Sequence, residues 1–252
     1  LPGLPVSATD AELLGGLGGL MHDASNGSGN SGIPAAYTFF AQFIDHDITL
    51  DTTTMLAGSP LSESQINALP NLRSPSLDLD CVYGFGPEAS PFLYDQDAPG
   101  RLLVGNESNQ NDLPRNSDGR ALIGDHRNDE NLFVAQFHLL MLRFHNRIFE
   151  AILGQTPPSQ RFEEAQRETR YHYQYLVLND FLKRVCDEQI FQFVSGRLQQ
   201  HSYPIVLKGS PTPLPMPVEF SVAAFRFGHT MVRSSYPANG HYTQVELFDE
   251  SF

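Results

Sequence analysis

The sequence has little positive charge, little cysteine and no long hydrophobic run. Its 252 residues include 16 Lys and Arg against 29 Asp and Glu, a net charge of −13 that argues against nucleic acid or an anionic membrane as a partner. Two cysteines, Cys81 and Cys186, are too few for a disulfide scaffold and leave two free thiols or one bridge open. No apolar run reaches the roughly 18 residues of a spanning helix, and LPGLPVSATD does not resemble a signal peptide.

Helical periodicity dominates the rest of the chain. Apolar spacing predicts a helix in PAAYTFFAQFIDH with Pro34 in its first turn, long helices at about 129–153 and 158–187, and a shorter helix in FSVAAFRFGHTMVRSS. Residues 26–32, 52–120 and 203–220 are rich in Gly, Pro, Ser or Asn and read as loops with short extended pieces. No internal repeat is visible, and the predicted class is mainly α with long loops and little β.

The stretch FAQFIDHDITLD places ionisable residues at the end of an apolar helix. Gln42 and His46 are four residues apart and share one helix face, while Asp45 and Asp47 point about 100° to either side of His46. The helix can therefore direct a His and a Gln into one cavity. An exposed polar helix end is the alternative.

A second stretch, RSPSLDLDCVYG at 73–84, alternates oxygen-bearing and apolar residues. In an extended segment Ser74, Ser76, Asp78 and Asp80 would lie on one side. They form either the wet face of a strand or a calcium loop, since Ca²⁺ takes six to eight oxygen ligands. A carboxylate from Asp47 would favour calcium.

Two further stretches carry isolated candidates. Arg127 and Glu130 precede the long apolar helix, where they are either functional or part of a solvated first turn, and His138 and His145 are expected in the core. In AAFRFGHTMVRSS, His229 follows a glycine that would let a flat group approach the backbone, although a lone His is usually structural.

In this order, FAQFIDHD, LDLDxVYG, R-x-x-E before LLxLRxHNR, and FRFGHT resemble the animal-type haem peroxidases of the peroxidase–cyclooxygenase superfamily over roughly residues 35–235. The resemblance implies that family's helical fold, with the whole chain, 1–252, expected to be the N-terminal portion of one catalytic domain, truncated before its C-terminal part. The missing C-terminal half would then be a partner, and the protein would be secreted.

The resemblance also implies a role for each candidate residue. These roles are as follows: His46, Arg127 and Gln42 as the distal catalytic residues; His229 as the haem iron ligand; Asp45 and Glu130 as carboxylates ester-linked to haem b; Arg226 beside a haem propionate; and Asp47, Ser74, Ser76 (through its carbonyl), Asp78 and Asp80 as calcium ligands. Asn131 stands where some family members carry a methionine linked to the haem, so that third link is expected to be absent.

The implied activity is reduction of H₂O₂ and oxidation of halide, thiocyanate or phenolic donors through a ferryl intermediate. One alternative is a fatty-acid oxygenase of the same superfamily, whose radical-forming tyrosine lies three residues before the proximal histidine, where this chain has Arg226. Another is a calcium-stabilised matrix or adhesion module without catalysis, which would be expected to lose His46 or Arg127. A plain helical domain with coincidental motifs is the third.

Overall fold

The structure is a computed structural model that describes residues 7, 9, 12, 13, 31–52, 61–105, 109–200 and 216–247. The chain divides into two units, Leu1–Pro34 and Ala35–Phe252. In the first unit, Thr9, Glu12 and Leu13 are helical and exposed. Most of the loops predicted at 26–32 and 203–220 lies outside the described residues.

The second unit is mainly helical, as predicted. Its α-helices are α1 Ala36–Ile48, α2 Glu63–Asn67, α3 Asp80–Tyr83, α4 Gly86–Ala89, α5 Leu132–Ala151, α6 Arg161–Leu176, α7 Leu182–Val185, α8 Glu188–Gln199 and α9 Val218–Val222. A π-helical turn, Val177–Phe181, joins α6 to α7, and 3₁₀ helices span Pro91–Leu93, His126–Asp129, Pro158–Gln160 and Ala224–Met231. The described strands β1 Ser235–Tyr236 and β2 Val245–Glu246 pair antiparallel, with Ser235 opposite Glu246.

The core forms where α1 packs against α5 and α6. Phe40 and Phe43 of α1 lie three residues apart on one face and both contact Phe137 of α5, with ring centroids 5.0 and 4.9 Å away. Phe43 also meets the ring of Tyr173 in α6 edge-on. Burying aromatic rings of this size contributes a few kcal/mol each, at about 25 cal/mol per Å². This packing fixes the C-terminal half of α1, which carries Gln42 and His46.

Helix boundaries follow from local hydrogen bonding. Asn131 caps α5, because its side chain accepts from the backbone N–H groups of Phe133 and Val134. Asp187 caps α8 in the same way. The sequence reading missed α8, although this cap and the apolar residues that follow it were visible.

One local interpretation was wrong: residues 73–84 are not extended, because Leu77 and Leu79 have φ of 54° and 60° and α3 begins at Asp80. The segment FRFGHT is helical, as predicted, and lies in a 3₁₀ helix. Both cysteines are free, Cys81 buried and Cys186 exposed, which decides between the two alternatives.

None of the helices in the described ranges combines the length and hydropathy needed to cross a membrane.

Candidate active site

Seven predicted site residues line one cavity in the second unit. It has a volume of about 500 Å³, within the range of small-molecule sites, and α1, the 126–131 segment and the 3₁₀ helix Ala224–Met231 form its walls. The predicted residues in its lining are Gln42, Asp45, His46, Arg127, Glu130, Arg226 and His229. Phe39, Ala41, Phe225, Val232 and Leu247 supply apolar surface. Predicted residues up to 187 positions apart in the chain, Gln42 and His229, therefore meet at one site.

His46 reaches this cavity from the last turn of α1 and is buried. Its Nδ1 lies 2.8 Å from Oδ1 of Asn128, which is fully buried. Burial lowers the pKa of His46 and the positive charge of Arg127 acts in the same direction. The imidazole is therefore held neutral near pH 7 and able to accept a proton.

Arg127 is held by two anchors. Its Nε and Nη2 donate to the carboxylate of Asp125 at 3.0 and 2.8 Å, and Nη2 also donates to the carbonyls of His46 and Thr49 at 3.1 and 2.7 Å. Arg73 binds the same carboxylate at 2.7 Å. Although burial opposes ionisation, hydrogen bonds and charge from Arg127 and Arg73 keep the pKa of Asp125 well below its usual range. Nη1 of Arg127 makes no hydrogen bond to any described residue and remains available to the cavity.

The amide of Gln42 is oriented by two residues of the same wall. Its Nε2 donates to Oε2 of Glu130 at 3.2 Å, and its Oε1 accepts from Nδ2 of Asn131 at 3.0 Å. Asn131 therefore has two tasks, since it also caps α5. Gln42 and Glu130 were predicted site residues, whereas this contact of Asn131 was not predicted.

In the 3₁₀ helix Ala224–Met231, His229 is exposed and its Nδ1 lies 3.0 Å from the carbonyl oxygen of Arg226. That carbonyl can only accept, so Nδ1 of His229 carries a proton. Arg226 in turn pairs with Asp45, with 2.7 Å between Nη1 and Oδ2. The structure thus brings together two residues, Asp45 and Arg226, that were expected to contact a haem separately.

Asp47 points away from this cavity into the protein. It is 0% exposed, and neither carboxylate oxygen has a hydrogen-bond partner among the described residues. Oδ1 of Asp78 is likewise buried without such a partner. Burial and the nearby charge of Asp78 raise the pKa of Asp47 to about 7, and Asp80 adds to this. A divalent cation bound by these oxygens would relieve the repulsion.

The loop that carries Asp78 is tied to α6 by its backbone. Arg170 donates to the carbonyl of Asp78, and Gln174 donates to the carbonyls of Ser76 and Leu77 at 3.4 and 3.2 Å. The hydroxyl of Ser74 accepts from the backbone N–H of Ser76 at 3.1 Å. Within the described part of the chain, no group of three or more His, Cys, Asp or Glu is arranged to hold a metal ion.

The sequence reading missed the residues that hold the candidates in place: Arg73, Asp125 and Asn128. Asp125 could have been predicted in part, because an aspartate is a typical N-cap residue. Its side chain caps the 3₁₀ helix His126–Asp129 by accepting from the N–H of Arg127. Arg73 and Asn128 have no such signal, since their contacts join segments more than 50 residues apart.

A second cavity of about 380 Å³ adjoins the first and shares Glu130, Asn131 and Leu247 with it. Its lining carries four carboxylates, from Asp112, Asp129, Glu130 and Glu246, and one cation, Arg115. Arg115 is paired with Asp112 and Asp129, at 2.7 Å in each case. The lining is therefore net negative.

The fold and the first cavity define a helical protein whose site holds a buried histidine, His46, and a partly buried arginine, Arg127. The family model for the animal haem peroxidase matches residues 57–249. The chain belongs to the animal haem peroxidase family, which confirms the resemblance seen in the sequence.

Curated relatives bear peroxidase names. The chain is 28% identical to a peroxidase-like protein of Margaritifera margaritifera, over 81% of this chain and 32% of that protein. It is 27% identical to the chorion peroxidase of Drosophila melanogaster, over 68% of this chain and 22% of that protein. It is 29% identical to the thyroid peroxidase of Mus musculus, over 73% of this chain and 19% of that protein. The chain therefore spans about a fifth to a third of the length of these relatives.

Among solved structures, a fatty acid alpha-dioxygenase of Oryza sativa is similar, with a TM-score of 0.53 and 15% identity over 85% of this chain and 43% of that one. At this identity the likeness shows the fold alone, and it agrees with the predicted helical class.

Proposed function

We propose that this chain carries the haem-binding core of a peroxidase that reduces H₂O₂ and oxidises phenolic donors or small anions such as halides and thiocyanate. The main support is the single cavity that His46, Arg127 and His229 line together. The chain is proposed to be the N-terminal portion of one catalytic domain of a secreted protein, completed by a C-terminal half.

The cavity residues fit haem b. Nδ1 of His229 donates to the carbonyl of Arg226, which leaves Nε2 as the nitrogen that would ligate haem iron. The apolar side chains of Phe39, Phe225 and Val232 suit the face of a porphyrin. Asp45 and Glu130 are proposed to form ester bonds to haem methyl groups, where each C–O bond would replace a C–H bond with H₂O₂ as the two-electron oxidant. Arg226 would move from Asp45 to a propionate. When bound, haem supplies the iron that binds peroxide and the electrons that reduce it.

The protein residues are proposed to move protons and stabilise charge. Nε2 of His46 takes the proton from one peroxide oxygen and returns it to the departing oxygen, which leaves as water. The guanidinium of Arg127 offers its free Nη1 to the charge that develops on that oxygen. Gln42, oriented by Asn131, holds a water or a small anion beside His46.

Asp47, Asp78 and Asp80 are proposed to bind Ca²⁺ together with Ser74 and the backbone carbonyl of Ser76. The unpartnered buried oxygens of Asp47 and Asp78 support this assignment. Because Asp47 follows His46 directly in α1, an ion there would fix the backbone that aims the imidazole. The fatty-acid oxygenase alternative gains no residue-level support, since Arg226 occupies the position of its tyrosine.

The test is to load the purified protein with haem, record its absorption spectrum and measure H₂O₂-dependent oxidation of a phenol and of iodide. Wild type should show a Soret band and turnover, His229→Ala should lose the band, and His46→Ala should keep it while turnover falls about 10²–10⁴-fold. Unchanged turnover in His46→Ala would refute the proton-transfer role. Haem that passes into acidified organic solvent after denaturation would refute the ester bonds.

A further inference from the structure

His46 begins a line of three buried side chains. Nδ1 of His46 is 2.8 Å from Oδ1 of Asn128, and Nδ2 of Asn128 is 3.0 Å from Nδ1 of His138. Asn128 and His138 are both 0% exposed, and His46 is 5% exposed. His46 therefore faces the cavity with one ring nitrogen and this buried line with the other.

The direction of these hydrogen bonds decides where the proton of His46 lies. An amide oxygen only accepts and an amide nitrogen only donates, so Nδ1 of His46 must carry its proton and Nε2 must be free. If the amide of Asn128 were reversed, its nitrogen would donate to Nδ1 of His46. The proton of His46 would then lie on Nε2, and that nitrogen could no longer accept a proton from a ligand.

Two features accompany the observed direction of the amide. Nδ1 of His138 accepts from Nδ2 of Asn128, which the ring can do because burial lowers the pKa of His138 to about 3 and keeps the ring neutral, while Nε2 of His138 has no hydrogen-bond partner among the described residues. The backbone of Asn128 is fixed as well, because its N–H donates to the carbonyl of Asp125 at 3.1 Å. The side chain of Asp125 is in turn bound by Arg73 and Arg127.

We propose that Asn128 is a positioning residue that keeps His46 in the tautomer with Nδ1 protonated and Nε2 free, and that His138 anchors the amide of Asn128 in that direction. The consequence for turnover rests on the proposed function of His46. The tautomer itself does not rest on it.

The first test is nitrogen NMR of the full chain labelled with ¹⁵N-histidine, with His46 assigned from the signal lost in His46→Gln. The wild-type spectrum should show His46 with Nδ1 protonated and Nε2 bare, because ring ¹⁵N shifts separate the two tautomers. A His46 protonated on Nε2 would overturn the proposal without any substitution at Asn128, so the test survives even if a variant fails to fold.

The second test compares two variants of matched size. Asn128→Leu removes both hydrogen bonds and should give a mixture of His46 tautomers. Asn128→Asp keeps an oxygen that accepts from Nδ1 of His46, so this variant should keep the wild-type tautomer of His46. It removes the amide nitrogen that donates to Nδ1 of His138. An Asn128→Leu variant that is folded and retains the wild-type tautomer of His46 would overturn the proposal.

A ligand-binding readout on the haem-loaded protein uses hydrogen cyanide and carbon monoxide. Hydrogen cyanide must give its proton to Nε2 of His46 as its carbon bonds to iron, whereas carbon monoxide has no proton to give. Asn128→Leu should slow cyanide association about 10–100-fold and leave carbon monoxide association unchanged within about twofold. Equal slowing of both ligands, or of neither, would contradict the proposal. A protein with the expected tautomer but no peroxide turnover would refute the proposed function alone.

Discussion

At the scale of single residues, the two aspartates that flank His46 have different fates. Asp45 faces the cavity and pairs with Arg226 at 2.7 Å. Asp47 lies on the other side of the helix, where its carboxylate is buried and has no hydrogen-bond partner within the described residues. Helical geometry predicts this separation, because adjacent residues point about 100° apart. The sequence alone does not reveal which side is the cavity.

The effect of Asp47→Asn on the free energy of unfolding, relative to wild type, should differ with and without calcium. In chelator the variant should be at least as stable as wild type, because it removes a buried carboxylate that costs free energy when unpaired. With calcium at about 100 times its Kd, wild type should gain about 2.7 kcal/mol and the variant almost nothing. Thermal unfolding in chelator, calcium and magnesium would measure this.

Glu88→Gln is the control for Asp47→Asn, because Glu88 lies in α4 among exposed residues and should leave the calcium response intact. A wild-type protein with no calcium response would remove the calcium assignment from Asp47, Asp78 and Asp80.

At the scale of elements, the helices were predictable and the segments between them were not. The spacing of Phe40, Phe43 and Ile44 marks the buried face of α1, and His138 and His145 are fully buried in α5, as predicted. The left-handed backbone at Leu77 and Leu79 could not be predicted, since leucine rarely adopts positive φ. Tertiary hydrogen bonds from Arg170 and Gln174 to that loop accompany the conformation.

The candidate site was predictable in its members but not in its supports. The resemblance to a known family identified seven residues that line the cavity, whereas their local patterns alone left structural explanations open. Asn128 and Arg73 are polar residues that position the site only through tertiary contacts among α1, α3 and the 126–129 turn. No local sequence pattern predicts those contacts.

At Gly124, the segment that precedes the 126–129 turn packs closely against α3. A Cβ at this position would lie 2.5 Å from the carbonyl oxygen of Cys81 in α3. Because that atom is backbone, Gly124→Ala should push α3 away from the turn that holds Asp125 and cost about 1–3 kcal/mol. Urea unfolding would measure the loss.

Gly154→Ala is the matched control for Gly124→Ala. A Cβ at Gly154 would meet nothing within 4 Å, so the change should stay within about 0.5 kcal/mol. Equal stability of the two variants would show that α3 and the turn are not in tight contact.

His145 couples α5 to two loops and should make stability depend on pH. Its Nε2 donates to the carbonyl of Gly100 at 2.9 Å, and its Nδ1 accepts from the hydroxyl of Tyr83 at 3.0 Å. Burial lowers the pKa of His145 to about 4. As the pH falls, His145 takes up a proton in the unfolded chain at a higher pH than in the folded protein. The free energy of unfolding therefore keeps its full value above the unfolded pKa of about 6.5 and falls by roughly 3 kcal/mol toward pH 4.

Unfolding free energies measured between pH 7 and 4 would check this, with His145→Gln removing that part of the pH dependence. The exposed His126→Gln is the control and should leave it in place. A His145→Gln profile parallel to that of wild type would assign the acid sensitivity to other groups.

At the scale of the whole molecule, the net negative charge should favour cationic over anionic compounds among the proposed electron donors. The chain carries 29 acidic residues against 16 basic ones, and the cavity beside the candidate site is lined by four carboxylates and one arginine. A negative field attracts cations and repels anions, over a Debye length that falls from about 30 Å at 0.01 M salt to about 8 Å at 0.15 M.

Raising the salt concentration across this range should therefore change donor oxidation in opposite directions. On the haem-loaded protein, kcat/KM for tyramine, a cationic phenol, should fall severalfold, kcat/KM for iodide or thiocyanate should rise, and a neutral phenol should change little, because screening weakens both attraction and repulsion. Glu246→Gln, which removes one carboxylate from the adjoining cavity, should reduce the salt dependence for tyramine. If all three donors respond to salt alike, the negative lining does not guide donors to this site, and the preference between phenols and anions must come from direct contacts in the cavity.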